Sequence, residues 1–310
     1  MFAVPDSAAI IGLALAEDLG VAPECFLPGA RPWAGLLQRD ATSASVLSAG
    51  ARFSGVIVAR EEAVVAGLPV MASVFATISA AAGLSRHIEV FPLVAEGSRV
   101  QAGTAVAEVS GPALPVLVGE RTALDFLMLL SGIATETSRW VEIAGEGLAV
   151  CDTRKTSPGL RALSKYAVAV GGGTNHRKGL SDMVLVKDNH IRAAGGIREA
   201  IERARRAHPE LLIEVEADTL DQAREAVAAG TDLVLLDNFD DAALTAAVGV
   251  LREAAAQRGR SVSIEASGGV TRERLPAIAA SGVDRVSTSA LTLGVRAVDF
   301  GFDERSGARQ

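Results

Sequence analysis

The sequence is poor in aromatic residues, in cysteine and in positive charge. Of its 310 residues only 4% are aromatic, two are cysteines, and 30 Lys and Arg stand against 37 Asp and Glu, a formal net charge of -7. This charge argues against general nucleic-acid binding, which needs a basic surface to release counterions. Cys25 and Cys151 are too few for a disulfide framework and lack the spacing of a metal-binding motif, so we expect a reducing, cytoplasmic location.

Segments that could cross a membrane or direct secretion are also missing. Residues 63–85 carry no charge, but they are mostly Ala, Ser, Thr, Gly and Val and include Pro69 and Gly83. This composition favours a buried helix starting near Pro69 over a membrane span. The short apolar run near the N-terminus has no basic flank and leads into Glu17 and Asp18, so no signal peptide is expected.

What the sequence does contain, from about residue 148 onward, is an alternation of short apolar runs and helical stretches. The runs cover residues 148–151, 183–186, 211–213, 233–236, 262–264 and 283–286. Strands that alternate with helices indicate βαβ units and a parallel sheet. Each run is followed by polar or charged residues, which predicts an α/β barrel with its site at the carboxyl ends of the strands. A Rossmann fold would need a glycine fingerprint after its first strand, and the sequence has none.

The N-terminal part of the chain lacks this alternation and shows short strand-like runs separated by turns. It predicts a smaller α/β sandwich domain over residues 1–115, which the C-terminal tail, residues 291–310, is expected to join. A long helix is predicted over about residues 117–141. The open, TIM-like α/β barrel is predicted over residues 116–290.

Basic residues concentrate in residues 151–192. This stretch has eight Lys and Arg against three Asp, a net charge of +5 in a chain of net charge -7. Arg154, Lys155 and Lys187 directly follow predicted strands, which favours a pocket for a small polyanion over the alternative, a solvated basic surface. Arginine pairs bidentately with carboxylates and phosphates, and lysine supplies a mobile point charge. His176 falls in the same stretch, although a lone histidine is more often structural.

Acidic residues mark the ends of the next two predicted strands. Glu214 and Glu216 lie two positions apart, so their side chains share one face of a strand, and Asp237 ends the following strand. Carboxylates in such a position need a metal, hydrogen bonds or cations to offset desolvation. They predict a site for sugar hydroxyls or for Mg²⁺, which prefers oxygen ligands. A salt-bridge cluster with neighbouring lysines is the alternative.

Small residues follow the last two predicted strands, as Ser267-Gly268-Gly269 and Ser287-Thr288-Ser289. Backbone N–H groups in such loops bind phosphate, and barrels often place a phosphate site after their late strands. A simple turn is the alternative. Together these residues predict a barrel that binds a phosphorylated small molecule; they leave open whether it also carries carboxylates, and they do not name the reaction.

Taken in order, the motifs resemble those of the quinolinate phosphoribosyltransferase family of NAD biosynthesis, and the resemblance extends from about Glu17 almost to the C-terminus. It is carried by Glu120-Arg121-Thr122, Leu130-Ser131-Gly132-Ile133-Ala134-Thr135, Asp152-Thr153-Arg154-Lys155-Thr156, Lys165-Tyr166-Ala167, Gly171-Gly172-Gly173-Thr174-Asn175-His176-Arg177, Lys187-Asp188-Asn189-His190, Glu214-Val215-Glu216, Leu236-Asp237-Asn238-Phe239 and Ser267-Gly268-Gly269.

The resemblance implies that quinolinate and phosphoribosyl pyrophosphate, with Mg²⁺, become nicotinate mononucleotide, pyrophosphate and CO₂. Matching positions assign a cationic set to the carboxylates of quinolinate, with Thr153 also in the substrate site: Arg121, Arg154, His176, Arg177 and Lys187. A catalytic set would hold the phosphoribosyl donor, with the two acids as Mg²⁺ ligands: Lys155, Glu216 and Asp237. A third set would bind the 5-phosphate: Ser267, Gly268, Gly269, Thr288, Ser289 and Ala290.

The resemblance also implies a homodimer or a higher even oligomer in which Arg121 reaches the barrel of the partner subunit, with no nucleic-acid or membrane partner. The sequence departs from the family pattern at Ser289, where a Gly is usual, at Leu293, where a His is common, and in an additional stretch at about residues 21–38. These departures leave an alternative open: a paralogue that acts on another aromatic acid or serves molybdenum transport.

Overall fold

The computed structural model describes residues 2–27, 29–33, 35–85 and 88–304. Its helices, numbered along the chain, are α1 (Ala8–Leu19), α2 (Ala41–Val46), α3 (Leu68–Ala81), α4 (Ala113–Ala144), α5 (Arg161–Val170), α6 (Asp188–Ala194), α7 (Ile197–Ala207), α8 (Leu220–Ala229), α9 (Asp241–Ala256) and α10 (Leu275–Ala280). Its strands are β1 (Arg52–Ala59), β2 (Ala63–Val64), β3 (Glu89–Pro92), β4 (Arg99–Val100), β5 (Ala105–Pro112), β6 (Ala149–Cys151), β7 (Val184–Val186), β8 (Ile213–Ala217), β9 (Leu233–Asp237), β10 (Ser263–Ser267), β11 (Arg285–Ser287) and β12 (Phe300–Glu304).

The chain divides into two units. Unit 1 consists of Met1–Glu136, Ser157–Gly171 and Val295–Gln310, and unit 2 of Thr137–Thr156 and Gly172–Gly294. The first boundary therefore falls inside α4, whereas the sequence analysis placed it between residues 115 and 116. A continuous helix carries no turn or linker at the point where its surroundings change, so the sequence gives no local signal for this boundary.

Unit 1 contains an antiparallel sheet with the strand order β12-β1-β5-β3. The tail contributes β12, which pairs with β1 from Gly55 opposite Glu304 to Ala59 opposite Phe300; residues 305–310 of the predicted tail lie outside the described residues. The uncharged segment near Pro69 forms α3, a helix with a largely buried apolar side, as expected from its composition. No helix in the described part of the chain is both long enough and apolar enough to cross a membrane.

Unit 2 contains six parallel strands in the order β6-β11-β10-β9-β8-β7. Among the described residues the end strands β6 and β7 do not pair with each other, which is the strand arrangement of an open α/β barrel and confirms the predicted fold class. All six predicted strands are present, although β8 begins at Ile213 rather than at residue 211, since Leu212 is exposed. The helices pack by narrow apolar faces; in α7 these are Ile197, Ala200 and Ile201, at helical spacing.

Candidate active site

The loop that follows β6 is held in place by the loop that follows β11. The Thr288 N–H donates to the Cys151 carbonyl at 3.1 Å, and the Thr292 hydroxyl donates to the Lys155 carbonyl at 2.7 Å. The Lys155 N–H in turn donates to Thr153 Oγ1 at 3.0 Å. Because parallel strands place their carboxyl ends at one edge of the sheet, these bonds fix the predicted Lys155 and Thr288 segments at the same edge.

The segment that carries His176 and Arg177 lies beside β6. Thr174 forms a parallel bridge with Cys151. The buried Asp152 carboxylate accepts the His176 backbone N–H at 2.9 Å, and the Asp152 N–H donates to the Thr174 carbonyl at 3.2 Å. Asp152 therefore anchors this segment to the end of β6.

The His176 imidazole is buried and faces two carboxylates. Its Nε2 lies 3.1 Å from Glu214 Oε2 and 3.5 Å from Glu265 Oε1, while its Nδ1 accepts the Arg177 N–H at 2.8 Å. Burial by itself lowers the pKa of His176, but the two carboxylates outweigh burial and raise that pKa to about 9. The Arg177 N–H opposes a second ring proton, which would have to sit on Nδ1. In either charge state, Nε2 is the nitrogen that the carboxylates hold.

Two guanidinium groups form the cationic part of the site. Burial lowers the pKa of Arg177, and the charge of Arg154 acts in the same direction. Arg154 Nε is buried and makes no hydrogen bond to the residues that the structure describes. Two such groups, each depleted of water and unfavourable to the other, are arranged to receive an anion with several carboxylate oxygens.

An acidic group lies at the carboxyl ends of β8 and β9. Glu216 forms an ion pair with Lys187 Nζ, which the sequence analysis kept as the alternative for these acids. Burial raises the pKa of Asp237, and so do the charges of Glu216 and Asp218. Lys187 and Lys155 act in the opposite direction. Three carboxylates near one another, of which Glu216 and Asp237 are partly buried and Asp218 is exposed, suit a hard divalent cation that prefers oxygen ligands.

The loops after β9 and β10 touch closely at Gly268. The Asn238 N–H donates to the Ser267 carbonyl at 2.9 Å, and a Cβ at Gly268 would lie 2.2 Å from Asn238 Oδ1. Gly268 and Gly269 have φ angles of 81° and 57°, in the left-handed region that favours glycine. The backbone conformation therefore requires glycine at these positions. A turn with other residues could not replace this loop.

The last predicted set follows β11 as a short 3₁₀ turn, Ser289–Leu291. The Ala290 N–H donates to Thr288 Oγ1 at 3.2 Å. Leu293, one of the departures from the family pattern, is 56% exposed, so the absence of a histidine there costs the core nothing.

Arg121 belongs to unit 1, whereas the residues described so far belong to unit 2. It lies on the exposed side of α4, where its Nη1 is 3.3 Å from Asp125 Oδ1. Unit 2, in contrast, brings together the other predicted site residues at the carboxyl ends of its strands: Thr153, Arg154, Lys155, His176, Arg177, Lys187, Glu216, Asp237, Ser267, Gly268, Gly269, Thr288, Ser289 and Ala290.

Sequence reasoning missed four residues that shape the site. Asp152 enters the sequence analysis only as part of a motif, and Asp218, Glu265 and Arg285 are not singled out there. Arg285 Nε lies 3.3 Å from Glu265 Oε2, and both side chains point to the interior. A charged residue inside an apolar strand, as in β10 and β11, is the signal that identifies such positions.

Comparison with known proteins also divides the chain inside α4. A family model for the N-terminal domain of quinolinate phosphoribosyl transferase matches residues 40–131, and one for the C-terminal domain matches residues 133–303. The chain belongs to the quinolinate phosphoribosyl transferase family. Its members are enzymes that transfer a phosphoribosyl group, so the family assignment inferred from the motifs is confirmed.

Individual relatives agree with this assignment over most of their length. A Mycobacterium leprae protein named "Nicotinate-nucleotide pyrophosphorylase [carboxylating]" is 41% identical over 265 residues, which cover 85% of this chain and 90% of that protein. The human protein of the same name is 39% identical over 261 residues, or 83% of this chain and 84% of that protein. The solved structure of NadC from Streptococcus pyogenes has a TM-score of 0.82 at 32% identity and covers 95% of this chain and 94% of that chain.

Proposed function

We propose that this protein transfers the phosphoribosyl group of phosphoribosyl pyrophosphate to quinolinate, with release of pyrophosphate and CO₂, and so forms nicotinate mononucleotide for NAD biosynthesis. The relatives named above support this activity over the alternative of another aromatic acid or molybdenum transport. The observation that carries the proposal is the placement of two kinds of group at one edge of the unit 2 sheet. In the cationic pair, Arg154 follows β6, and Arg177 lies in the segment that Asp152 anchors to the end of that strand. A group of carboxylates with Lys187 lies at the ends of β7, β8 and β9.

The cationic pair accounts for the choice of acid. Quinolinate carries two carboxylates on adjacent ring carbons, and a guanidinium binds a carboxylate through two parallel hydrogen bonds. Burial lowers the pKa of Arg177, and the charge of Arg154 acts in the same direction. A dianion relieves this repulsion, whereas the single carboxylate of nicotinate leaves part of it in place.

The acidic group accounts for the transfer step. When the bond between C1 of the ribose and the pyrophosphate oxygen breaks, positive charge develops on the ribose, and the carboxylates of Glu216 and Asp237 stabilise it. The leaving pyrophosphate takes the electron pair, and Lys155 is placed to offset its charge. The pyridine nitrogen of quinolinate then forms the new bond to C1. Its positive charge accepts the electrons of the bond to the C2 carboxylate, CO₂ leaves, and C2 takes up a proton.

Magnesium is part of the proposal. Glu216 and Asp237 would hold Mg²⁺, which when bound supplies positive charge to the diphosphate of the donor. The proposal is supported by the pKa of Asp237, which burial and the charges of Glu216 and Asp218 raise; a bound cation would offset these effects. The loops with Ser267, Gly268 and Gly269 and with Thr288, Ser289 and Ala290 would hold the 5-phosphate by their backbone N–H groups.

The proposed assembly is a homodimer in which Arg121 of each subunit serves the site of its partner. Its support is the exposure of the Arg121 side chain in unit 1, together with the role that the family resemblance implies. We also propose a cytoplasmic location, in keeping with the two cysteines, which are both free.

Product analysis tests the activity. Purified protein is incubated with phosphoribosyl pyrophosphate and Mg²⁺, with quinolinate and nicotinate in parallel reactions, and nucleotide and CO₂ are followed. Nicotinate mononucleotide and CO₂ from quinolinate alone are the expected result. Turnover of nicotinate alone would contradict a site for a dicarboxylate, and turnover of neither acid would contradict the proposed reaction. Omission of Mg²⁺ in a third reaction should abolish product formation.

A further inference from the structure

An arginine outside the predicted site residues joins the loops that follow β9 and β10. Arg274 ends a short 3₁₀ helix, Arg272–Arg274, that directly precedes α10. Its Nη2 donates to the Phe239 carbonyl, in the loop after β9, at 3.1 Å, and its Nη1 donates to the Gly269 carbonyl, in the loop after β10, at 3.0 Å. The second of these loops is the one to which the proposed function assigns the 5-phosphate of the donor.

Asp241, the first residue of α9, fixes the orientation of the Arg274 guanidinium. Its Oδ1 accepts Nη2 at 2.7 Å and Nε at 3.2 Å. Together with the two carbonyls, the guanidinium makes four hydrogen bonds to the described residues. Arginine can make them because its planar guanidinium carries several N–H donors in fixed directions. A lysine ammonium has the same charge without these directions, so an experiment can separate the two properties.

The bond from Arg274 to the Gly269 carbonyl also sets the direction of a backbone N–H group. The described residues contain no cis peptide bond, and the C=O and N–H of a planar trans peptide point in opposite directions. Because the Gly269 carbonyl points toward Arg274, the Val270 N–H of the same peptide unit points away from Arg274. The guanidinium therefore takes up a carbonyl oxygen and leaves the N–H donor outside the contact between the two loops.

The other end of the loop after β10 is held in the same way. The Ser267 carbonyl accepts the Asn238 N–H at 2.9 Å, so the Gly268 N–H points away from Asn238. Gly268 and Gly269 have positive φ angles, and glycine places few limits of its own on the direction of a peptide unit. The loop thus depends on contacts from outside to direct its carbonyl oxygens, which repel a phosphate, away from the ligand and to leave its N–H groups available.

A direct contact between Arg274 and the phosphate is the alternative. The Arg274 guanidinium lies 2.7 Å from the Asp241 carboxylate, and 28% of its side chain is exposed. Each of its three nitrogen atoms already donates to a protein oxygen. Arginine binds phosphate best through two parallel hydrogen bonds, and Arg274 would have to give up its contacts to the loops to form them. The observed contacts therefore favour an indirect role.

We propose that Arg274 is a positioning residue of the 5-phosphate site: its guanidinium directs the Gly269 carbonyl away from the ligand and fixes the loop after β10 against the loop after β9, so that the backbone N–H groups of the former face the phosphate. Arg274 then acts through the Gly269 peptide and not as a ligand of the donor. The inference deepens the proposed function and rests on it, because its readout is the binding of compounds that carry the 5-phosphate.

Steady-state kinetics of Arg274→Lys test the inference first. This variant keeps the positive charge and removes the planar set of donors. The KM for phosphoribosyl pyrophosphate should rise about tenfold, the order expected when a hydrogen bond to the loop is lost, and the KM for quinolinate should stay within about twofold of wild type. A wild-type KM for the donor would overturn the proposal, because the charge alone would then suffice.

Binding of the two products, measured by calorimetry in the presence of Mg²⁺, locates the effect within the donor site. Nicotinate mononucleotide keeps the 5-phosphate, whereas pyrophosphate lacks it. In Arg274→Lys the dissociation constant of nicotinate mononucleotide should rise about tenfold, and that of pyrophosphate should stay within about twofold of wild type. Equal weakening of both products would show a general change of the site and would overturn the proposal.

The matched control is Arg252→Lys. Arg252 also donates to a backbone carbonyl, that of Gly282, and pairs with a carboxylate, that of Asp284, both at 2.8 Å, but at the end where the strands begin. This control should lower the melting temperature and leave the KM values and both dissociation constants unchanged. If Arg274→Lys behaves in the same way, Arg274 is only structural and the proposal is wrong.

Asp241→Ala supplies a second variant, should Arg274→Lys fail to fold. It removes the carboxylate that orients the guanidinium and should raise the dissociation constant of nicotinate mononucleotide about fivefold, with that of pyrophosphate unchanged. The double variant should be no more than about twofold worse than Arg274→Lys alone, because both substitutions act on one set of contacts. Multiplication of the two effects would overturn the proposal. Wild-type protein without turnover of quinolinate would instead overturn the proposed function.

Discussion

The two ends of the unit 2 sheet use the same kinds of residue in opposite ways. At the end where the strands begin, Asp232 and Asp284 each accept the backbone N–H of a neighbouring strand, from Ile213 and Ile264, both at 2.8 Å. Each of these carboxylates also contacts an arginine, Asp232 with Arg205 at 2.5 Å and Asp284 with Arg252 at 2.8 Å. These charges are paired and hydrogen-bonded, and they join one strand to the next.

At the end where the strands finish, charges of the same sign lie near one another, although Glu216 is paired with Lys187. Arg177 and Arg154 are unfavourable to each other, and Asp237 is unfavourable to Glu216. Groups in such an arrangement destabilise the free protein, and a bound ligand of opposite charge stabilises it. This is the expected signature of a functional site. The comparison teaches that residue type alone does not show whether an acid or an arginine in this fold is structural or functional. The groups that it contacts show which role it has.

Glu216→Ala should have the largest effect on activity and so should show most clearly the difference in function between the two ends of the sheet. We expect kcat to fall by about 10²- to 10³-fold, the usual effect of removing an electrostatic group from a transition state, with a smaller change in the KM for quinolinate. Steady-state kinetics with both substrates measure it, and Asp232→Asn, from the opposite end, serves as the control. Wild-type kcat in Glu216→Ala would refute the assignment of the acidic group.

Arg154→Ala should have the next largest effect. The KM for quinolinate should rise and kcat/KM should fall by about a hundredfold, because one charge-assisted contact to a carboxylate is lost. The same variant should be at least as stable as wild type in urea, since it removes the repulsion between two partly buried cations. A loss of both activity and stability would mean that Arg154 belongs to the framework, like the arginines at the other end.

Asp284→Asn tests the framework end. The carboxylate accepts the Ile264 N–H and pairs with Arg252, and its loss should lower the free energy of unfolding by about 1 kcal/mol. Kinetic constants at 25 °C should stay within about twofold of wild type. A large kinetic effect with unchanged stability would abolish the distinction between the two ends.

Much of this arrangement could be predicted because it is local in sequence. The polar residues that follow β6, β7 and β9 are adjacent to their strands, so Arg154, Lys187 and Asp237 could be placed at one edge without coordinates. The same holds for the Gly268 loop, whose two successive glycines indicate a backbone with positive φ angles.

What could not be predicted depends on contacts between distant parts of the chain. Asp152 anchors His176 across 24 positions, and the pairing of Glu214 with Glu265 through one imidazole needs the order of the strands and their register. Neither residue has a neighbour in sequence that reveals its partner. The division of the chain inside α4 has no local signal either, because the helix continues while its surroundings change.

The smallest expected effect is on the pH dependence of stability. It concerns His176, whose imidazole lies between the buried carboxylates of Glu214 and Glu265 and belongs to neither end of the sheet. The pKa of His176 is raised from 6.5 to about 9, so its stabilising contribution is complete below pH 6.5 and is lost as the pH rises through 9. The difference in free energy of unfolding between wild type and His176→Asn, from urea titrations between pH 6 and 9.5, should therefore shrink with rising pH. Ser287→Ala, a buried change that removes no titrating group, should differ from wild type by the same amount throughout. A constant difference for His176→Asn would show that the Arg177 N–H keeps the second proton off Nδ1 and that the carboxylates hold a neutral ring.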